Sequence, residues 1–344
     1  MSTNFFCANV CTMVASMKQI ARECGVAIST VSRALNGSTS IRPEVREQIV
    51  ATAQRLGYRP NNAARALRSR SSRTVGVVLP DMLNTFYAKC TAILQDQFEA
   101  QGYGIRLAVT GNSVDREREA LARLESERID GLVIVPTARR WQDHIRGVPA
   151  VQMNRHTKSA RADIVQSDEA YGARELVSHL LNLGHRRIAV LIGDKNFSTT
   201  QDRMSGVRDA YDSSDAFAGP TRVLFGTHSR SWGAQAFDDL WTAGERPTAI
   251  FAAGSEIALG VLHRTREMGV SIPEDISLVC FGDPEWFLVS DPPLTTFEQP
   301  VREVGMIAAQ LLLGRMGADE AADASHVRVS GRVIVRESTT APPE

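Results

Sequence analysis

Residues 18–35 read KQIARECGVAISTVSRAL. In the first seven, Ile20, Ala21 and Cys24 recur at helical spacing and make one apolar face. Gly25 then breaks the run. A glycine takes the left-handed backbone conformation that a tight turn between helices demands. From residue 28 the periodicity resumes with Val31, Ala34 and Leu35, predicting a second short helix over 28–35. Ala21 is small enough to let the two helices cross closely. Short helix, glycine turn, short helix is the helix-turn-helix pattern. On the second helix Ile28, Ser29, Thr30, Ser32 and Arg33 fall outside the apolar stripe. Hydroxyls and an arginine suit the phosphates and base edges of a DNA major groove.

Moving outward, residues 43–56 predict a third helix that opens on Pro43 and buries Val45, Ile49, Ala53 and Leu56. Residues 57–73 read GYRPNNAARALRSRSSR. Asn61 or Asn62 can cap a helix through 63–67. Leu67 is flanked by Arg65, Arg68 and Arg70, which fits either a wedge in a DNA minor groove or a residue packed on its own domain. The chain as a whole has 39 basic and 39 acidic residues. Residues 17–73 nevertheless hold eleven basic residues against Glu23, Glu44 and Glu47, a net charge of +8 that the rest of the chain balances with −8. A basic head on an acidic body is the electrostatic footprint of a nucleic-acid binder.

Beyond residue 74 the pattern changes. TVGVVLP, GIRLAVTG, GLVIVP, AVQMN, RIAVLIGD, TAIFAAG and ISLVCFG are short β-rich apolar runs, separated by helical stretches such as 86–101 and 168–183. That alternation predicts parallel sheets covered by helices. The 344 residues exceed one ordinary core and fit two such sheets, hence two lobes with a cleft between them. Ligands of open α/β sheets sit beyond the C-terminal ends of the strands. Asp81, Asn84, Phe86 and Tyr87, then Asn154 and Arg155, Arg203, His228, Gly254 and Ser255, and Gly282 and Asp283 occupy such positions.

Other classes find little support. No GxGxxG follows the first strand, and no GxxxxGK[ST], GxSxG or HExxH occurs, so no enzyme, cofactor or metal site is expected. The five cysteines are scattered and are expected as free thiols of a cytoplasmic protein. His185, just before a strand, is expected to be structural. No apolar run is long enough to span a membrane. Residues 1–16 contain no Lys or Arg, make a poor secretory signal, and are expected as a disordered extension.

IARECGVAISTVSRALNGS, RPEVREQIVATAQRLGYRPNNAARALRS, RTVGVVLPDMLNTFYA, ERIDGLVIVP, LLNLGHRRIAVLIGD, RPTAIFAAGSEIALG, VSIPEDISLVCFGD and PPLTTFEQP follow one another in this order. Together they resemble the lactose-repressor family over nearly all of residues 17–339. The resemblance implies an all-α helix-turn-helix head and an α/β core of two periplasmic-binding-protein-like lobes with parallel sheets. The expected divisions are 1–16 as the extension, 17–60 as the DNA-binding domain, 61–73 as hinge helix and linker, and 74–344 as the effector-binding and dimerisation core. Lobe 1 then spans about 74–167 and 298–326, and lobe 2 about 168–297 and 327–340.

It also implies a repressor, dimeric on a near-palindromic operator in double-stranded DNA and controlled by a sugar or related metabolite. Ile28, Ser29 and Arg33 should face bases, while Thr30, Ser32 and Asn36 hold phosphates. Asn61, Arg65 and an intercalating Leu67 should serve the hinge. Asn84, Phe86, Asn154, Arg155, Arg203, His228, Ser255 and Asp283 should contact the effector, with Arg203 gripping it, Phe86 as an apolar wall and His228 where an aromatic often stacks. With no heptad tail after the last strand-like segment, HVRVSGRVIVRES, a dimer is expected rather than a tethered tetramer. The chain departs from the pattern at Ala27, where a helix-capping serine is usual. It departs again at Gly254-Ser255 and Gly282-Asp283, where polar or acidic pairs are usual. These substitutions leave open an anionic ligand held by Arg203 or Arg155, and a regulator that binds DNA but no longer senses a ligand. An exported solute-binding protein with the same core is the further alternative, against which the basic head speaks.

Overall fold

The computed structural model describes residues 16–35, 38, 40–58, 71–157, 162–214, 219–318 and 323–343. They fall into two compact units, Met1–Arg70 and Ser71–Glu344.

In the first unit, helices α1 (Met17–Cys24), α2 (Ile28–Leu35) and α3 (Pro43–Arg55) enclose one small core. Ile20, Ala21, Val31, Ala34, Ile49 and Ala53 fill it, with Cys24, Val45 and Leu56 at its margin. An ion pair between Glu23 and Arg55 joins α1 to α3. Gly25 adopts φ 66° at the end of α1, and the Val26 N–H reaches back to the Ala21 carbonyl at 3.0 Å. The sequence reading left Ser16 in the extension. The structure gives it to the head, because its hydroxyl accepts the Gln19 N–H at 3.3 Å and caps α1. Asn36, Asn61, Arg65 and Leu67, and with them the hinge helix, lie outside the described residues.

The second unit is built on two sheets. One holds β1 (Thr74–Leu79), β2 (Gly104–Val109), β3 (Gly131–Ile134), β4 (Ala150–Met153), β5 (Asp163–Ser167) and β11 (His326–Val329) in the order β11-β5-β4-β3-β1-β2, all parallel. The other holds β6 (Ile188–Ile192), β7 (Arg222–Phe225), β8 (Ala249–Ala252), β9 (Ser277–Phe281), β10 (Thr295–Glu298) and β12 (Arg332–Ile334) in the order β12-β10-β9-β8-β6-β7, with β12 antiparallel to β10. Central strands such as β3, β6, β8 and β9 are buried along their whole length. This is why they read as unbroken apolar runs rather than as alternations.

Helices α4 (Thr85–Ala100) and α10 (Val301–Gly317) cover one face of the first sheet through Phe98, Leu94, Ala308 and Leu312; α5 (Val114–Ser126) covers the other through Leu121 and Leu124. On the second sheet α6 (Glu169–Asn182) and α7 (Ser198–Asp212) take one face, and α8 (Arg230–Trp241) and α9 (Ser255–Met268) the other. Among the described residues no helix is long and apolar enough to cross a membrane.

The chain passes between the sheets after β5, after β10 and after β11. The third crossover therefore falls at Ser330-Gly331, not at 326. The run HVRVSGRVIVRES is two strands in different lobes, because His326–Val329 pairs with Ile164–Ser167 while Arg332–Ile334 pairs with Thr296–Glu298. The crossovers are bonded to one another. Gln299 Nε2 donates to Ser167 Oγ at 3.1 Å, and the Asp168 N–H to the Val329 carbonyl at 2.8 Å. Residues 71–73, expected in the linker, belong to the core. Asp130 accepts the Ser71 hydroxyl at 2.7 Å and the N–H groups of Ser72 and Arg73 at 3.0 and 2.7 Å.

Candidate functional site

The head presents the outer face of α2. Val31 and Ala34 are buried beneath it, Ile28 is 47% exposed, and Ser29 and Arg33 are exposed. Thr30 and Ser32 are half-buried at its flank. Arg33 lies back along the helix, its Nε donating to the Ser29 carbonyl at 3.3 Å. Ala27 offers no hydroxyl to α2. Its carbonyl instead receives the N–H groups of Thr30 and Val31 at 2.9 and 3.2 Å, so the first turn closes through the backbone.

Between its two lobes the core holds a cleft of about 650 Å³, room for a small metabolite. Asn84, Phe86, Asn154, Arg155, Arg203, His228, Ser255 and Asp283 all line it. Strand order explains the gathering, since these residues follow the C-terminal ends of β1, β4, β6, β7, β8 and β9.

Within lobe 1, Asn84 caps α4 by accepting the Phe86 N–H at 3.0 Å. Phe86 packs edge-on against Tyr87, ring centres 5.4 Å apart. Asn154 sits at φ 64°, a strained conformation for a residue other than glycine. Its amide donates to the Tyr87 hydroxyl at 3.1 Å, and its buried Oδ1 has no partner. Arg155 is 5% exposed, donates to Asn112 Oδ1 at 2.6 Å, and stacks over the Phe197 ring of lobe 2 at 3.7 Å. Burial holds its pKa below the usual arginine value, and the charge of Arg203 adds to the effect.

In lobe 2, Arg203 is locked from below. Its Nε donates to Glu169 at 2.5 Å, one terminal nitrogen donates to the Ala253 carbonyl at 2.6 Å, and its guanidinium lies 3.9 Å over the Phe281 ring. Glu169 also accepts the Ser167 hydroxyl at 2.6 Å and lies 3.4 Å from Gln299 Nε2. One buried carboxylate thus connects the cavity arginine to two of the crossovers. Burial pushes the Glu169 carboxyl above the ordinary range, with the Arg203 charge pulling the other way.

His228 fits against Gly193 and Gly254. A Cβ on Gly193 would lie 2.1 Å from the imidazole. Burial, then the charges of Arg203 and Arg155, depress its pKa to about 3. The ring is neutral, and Nε2 must donate to the Ala253 carbonyl 3.2 Å away, leaving Nδ1 as an acceptor.

Asp283 lines the cavity, but as one half of an ion pair. Arg336 grips both carboxylate oxygens, at 2.8 and 2.7 Å, so Asp283 meets the cavity with its charge paired. Ser255 is the first residue of α9, whose N-cap Gly254 supplies no capping oxygen, so the helix opens onto the cavity with its N–H groups. Asn112, Thr199 and Phe281 also line the cavity and were not singled out from the sequence. Asn112 follows β2 and obeys the same strand-end rule, which would have found it. His185 is buried and bonded to Thr248, Ser277 and the Thr340 carbonyl, a structural position.

Residues 16–61 match the family model of bacterial regulatory proteins, lacI family, and residues 177–339 that of a periplasmic binding protein-like domain. Catabolite control protein A of Priestia megaterium is 30% identical over 333 residues, covering 95% of this chain and all of that protein. A LacI family transcriptional regulator from Enterococcus faecium, solved with bound ribose, superposes with a TM-score of 0.71 at 28% identity over 78% of this chain and all of its own. The lac repressor dimer bound to operator and an anti-inducer shares the fold, with a TM-score of 0.85 at 24% identity over 95% of this chain and all of that one. The chain belongs to the lacI family of bacterial regulatory proteins.

Proposed function

We propose that this protein is a dimeric cytoplasmic repressor whose grip on operator DNA is set by a small metabolite bound between the lobes of its core. The observation that carries the reading is the cavity between the lobes, lined by residues of both, on a chain whose head exposes the outer face of α2. A ligand that touches both lobes favours one angle between them and so shifts the population of core shapes. Ile28, Ser29 and Arg33 are the base readers in this reading, Thr30, Ser32 and Asn36 the phosphate contacts, and Asn61, Arg65 and Leu67 the hinge contacts. The ribose seen in the Enterococcus faecium relative supports a sugar-sized effector.

Support for the dimer comes from the sheet edges. The same end of each strand order closes on a strand with exposed apolar side chains, Leu107 and Val109 on β2 and Phe225 on β7. Exposed apolar edges of this kind are normally covered by another chain.

The test is selection of random DNA by the purified protein, with and without a metabolite pool. A palindromic site of roughly 16–20 base pairs, gained or lost with the pool, is the expected result. Selection of no site in either condition would overturn the reading.

A further inference from the structure

The acids and bases of the cavity do not balance in the same way throughout. Asp283 is paired with Arg336, Glu298 with Arg332 at 2.6 Å, and Arg203 with Glu169. Arg155 has no such partner. Among the described residues no carboxylate is within ion-pair distance of it; the charges of Glu117 and Asp194 act on it only from further off. It is nonetheless 5% exposed, its Nε is buried with no hydrogen-bond partner, and its contacts are a neutral amide and an aromatic ring. A buried cation in that state normally has a counter-ion.

Two further features point the same way. The first turns of α7 and α9 line the cavity at Thr199 and Ser255, and neither Phe197 nor Gly254 caps its helix with a side-chain oxygen. Their free N–H groups and partial positive charge favour an anion. His228 stays neutral beside the two arginines, while Lys89, Arg302 and Arg332 add further positive groups to the lining.

We propose that the effector carries an anionic oxygen group, a carboxylate or a phosphate, held between Arg155 of one lobe and Arg203 of the other. This rests on the reading of the cleft as an effector site. The two guanidiniums face the cavity from opposite lobes and repel each other. An anion between them removes that repulsion and rewards lobe closure, whereas a neutral sugar leaves it in place. The unpartnered Asn154 Oδ1 in the same wall takes a hydroxyl, so the ligand class is a small hydroxylated acid or phosphate ester.

The experiment is a thermal melt of the full-length protein with a bacterial metabolite extract split on an anion exchanger, both fractions adjusted to equal ionic strength. The retained, anionic fraction should raise Tm by on the order of 3 °C, and the flow-through should not. Arg155→Gln should abolish the rise, and Arg155→Lys should restore part of it. Phosphatase treatment of the retained fraction distinguishes the sources: the rise disappears for a phosphate ester and survives for a carboxylate. A rise with the flow-through alone, or an undiminished rise in folded Arg155→Gln, overturns the anion and leaves the effector site standing. No rise with either fraction or with the whole extract overturns both. Should Arg155→Gln not fold, the division between wild-type fractions decides the matter.

Discussion

At the scale of single residues, the head and the cleft ask different things of their side chains. Arg33 lies exposed on a helix whose other face is committed to the core, so its replacement costs little folding energy. Arg33→Ala should weaken operator binding by roughly 1–3 kcal/mol and relax preference at one base pair, with Tm unchanged, if it reads a base edge. Affinity titrations on the selected site and its single-base variants check this, and a uniform loss across sequences would reassign it to a phosphate. In the cleft, Gly193 is constrained by its neighbour rather than by its backbone. Gly193→Ala drives a methyl into the His228 ring and should lower stability by about 1–3 kcal/mol while blunting the effector response. The double variant Gly193→Ala, His228→Ala should recover most of the lost Tm, since the two sites meet at that ring. A double variant no more stable than the single one would place the strain elsewhere.

At the scale of elements, the entry of the chain into the core is tied to the start of β3. Asp130, at the entry to β3, gathers three donors from residues 71–73, where the chain enters the core. Asp130→Ala frees that segment. It should leave the effector-induced rise in Tm intact while reducing the effector's change in operator affinity severalfold; retention of the full change would show that the clamp transmits nothing. The helices of the head and the buried parallel strands were legible because their signals are local: apolar spacing, a glycine stop, an unbroken apolar run. The positions of Arg155 and Arg203 were legible for a related reason, since strand ends locate a cleft without any knowledge of contacts. Partnerships were not legible. Nothing in the sequence near Asp283 announces Arg336, and nothing near Arg203 announces Glu169, because both pairs are made by the fold at long range. The third crossover was misplaced for the same reason. HVRVSGRVIVRES is uniformly β-rich, and only pairing with β5 on one side and β10 on the other divides it. The strand β5 escaped notice because Asp163 opens it. That acid is buried at 1% exposure because Arg315 grips both of its oxygens at 2.8 Å.

Across the whole molecule, the lobes of the core are held together by contacts that differ in their dependence on charge. Lys89 pairs with Glu285 across the lobes at 3.1 Å in solvent, an interaction worth little and weakened by salt. Arg155 over Phe197 and the His156 N–H on Ser198 Oγ at 3.0 Å are better shielded. Buried histidines contribute to the response to pH. Burial depresses the pKa values of His179, His185 and His228, the last to about 3. Their unfolded values lie near 6.5, so as pH falls the unfolded chain binds protons before the folded one. The stability they contribute is complete above about pH 6.5 and declines as pH falls from there toward each folded value. Glu117 and Glu169, whose carboxyls burial holds high, act in the opposite sense, because the folded chain binds their protons first as pH falls. The raw slope of Tm against pH therefore mixes both effects, and a comparison isolates one of them. His228 alone should cost roughly 2 kcal/mol between pH 7 and pH 5. In His228→Asn, which cannot take up the proton, Tm should fall by several degrees less than in the wild type over the same interval. Parallel Tm curves for the two proteins would mean that His228 meets solvent freely enough to titrate as it does in the unfolded chain, and that the positive field attributed to Arg155 and Arg203 does not reach it.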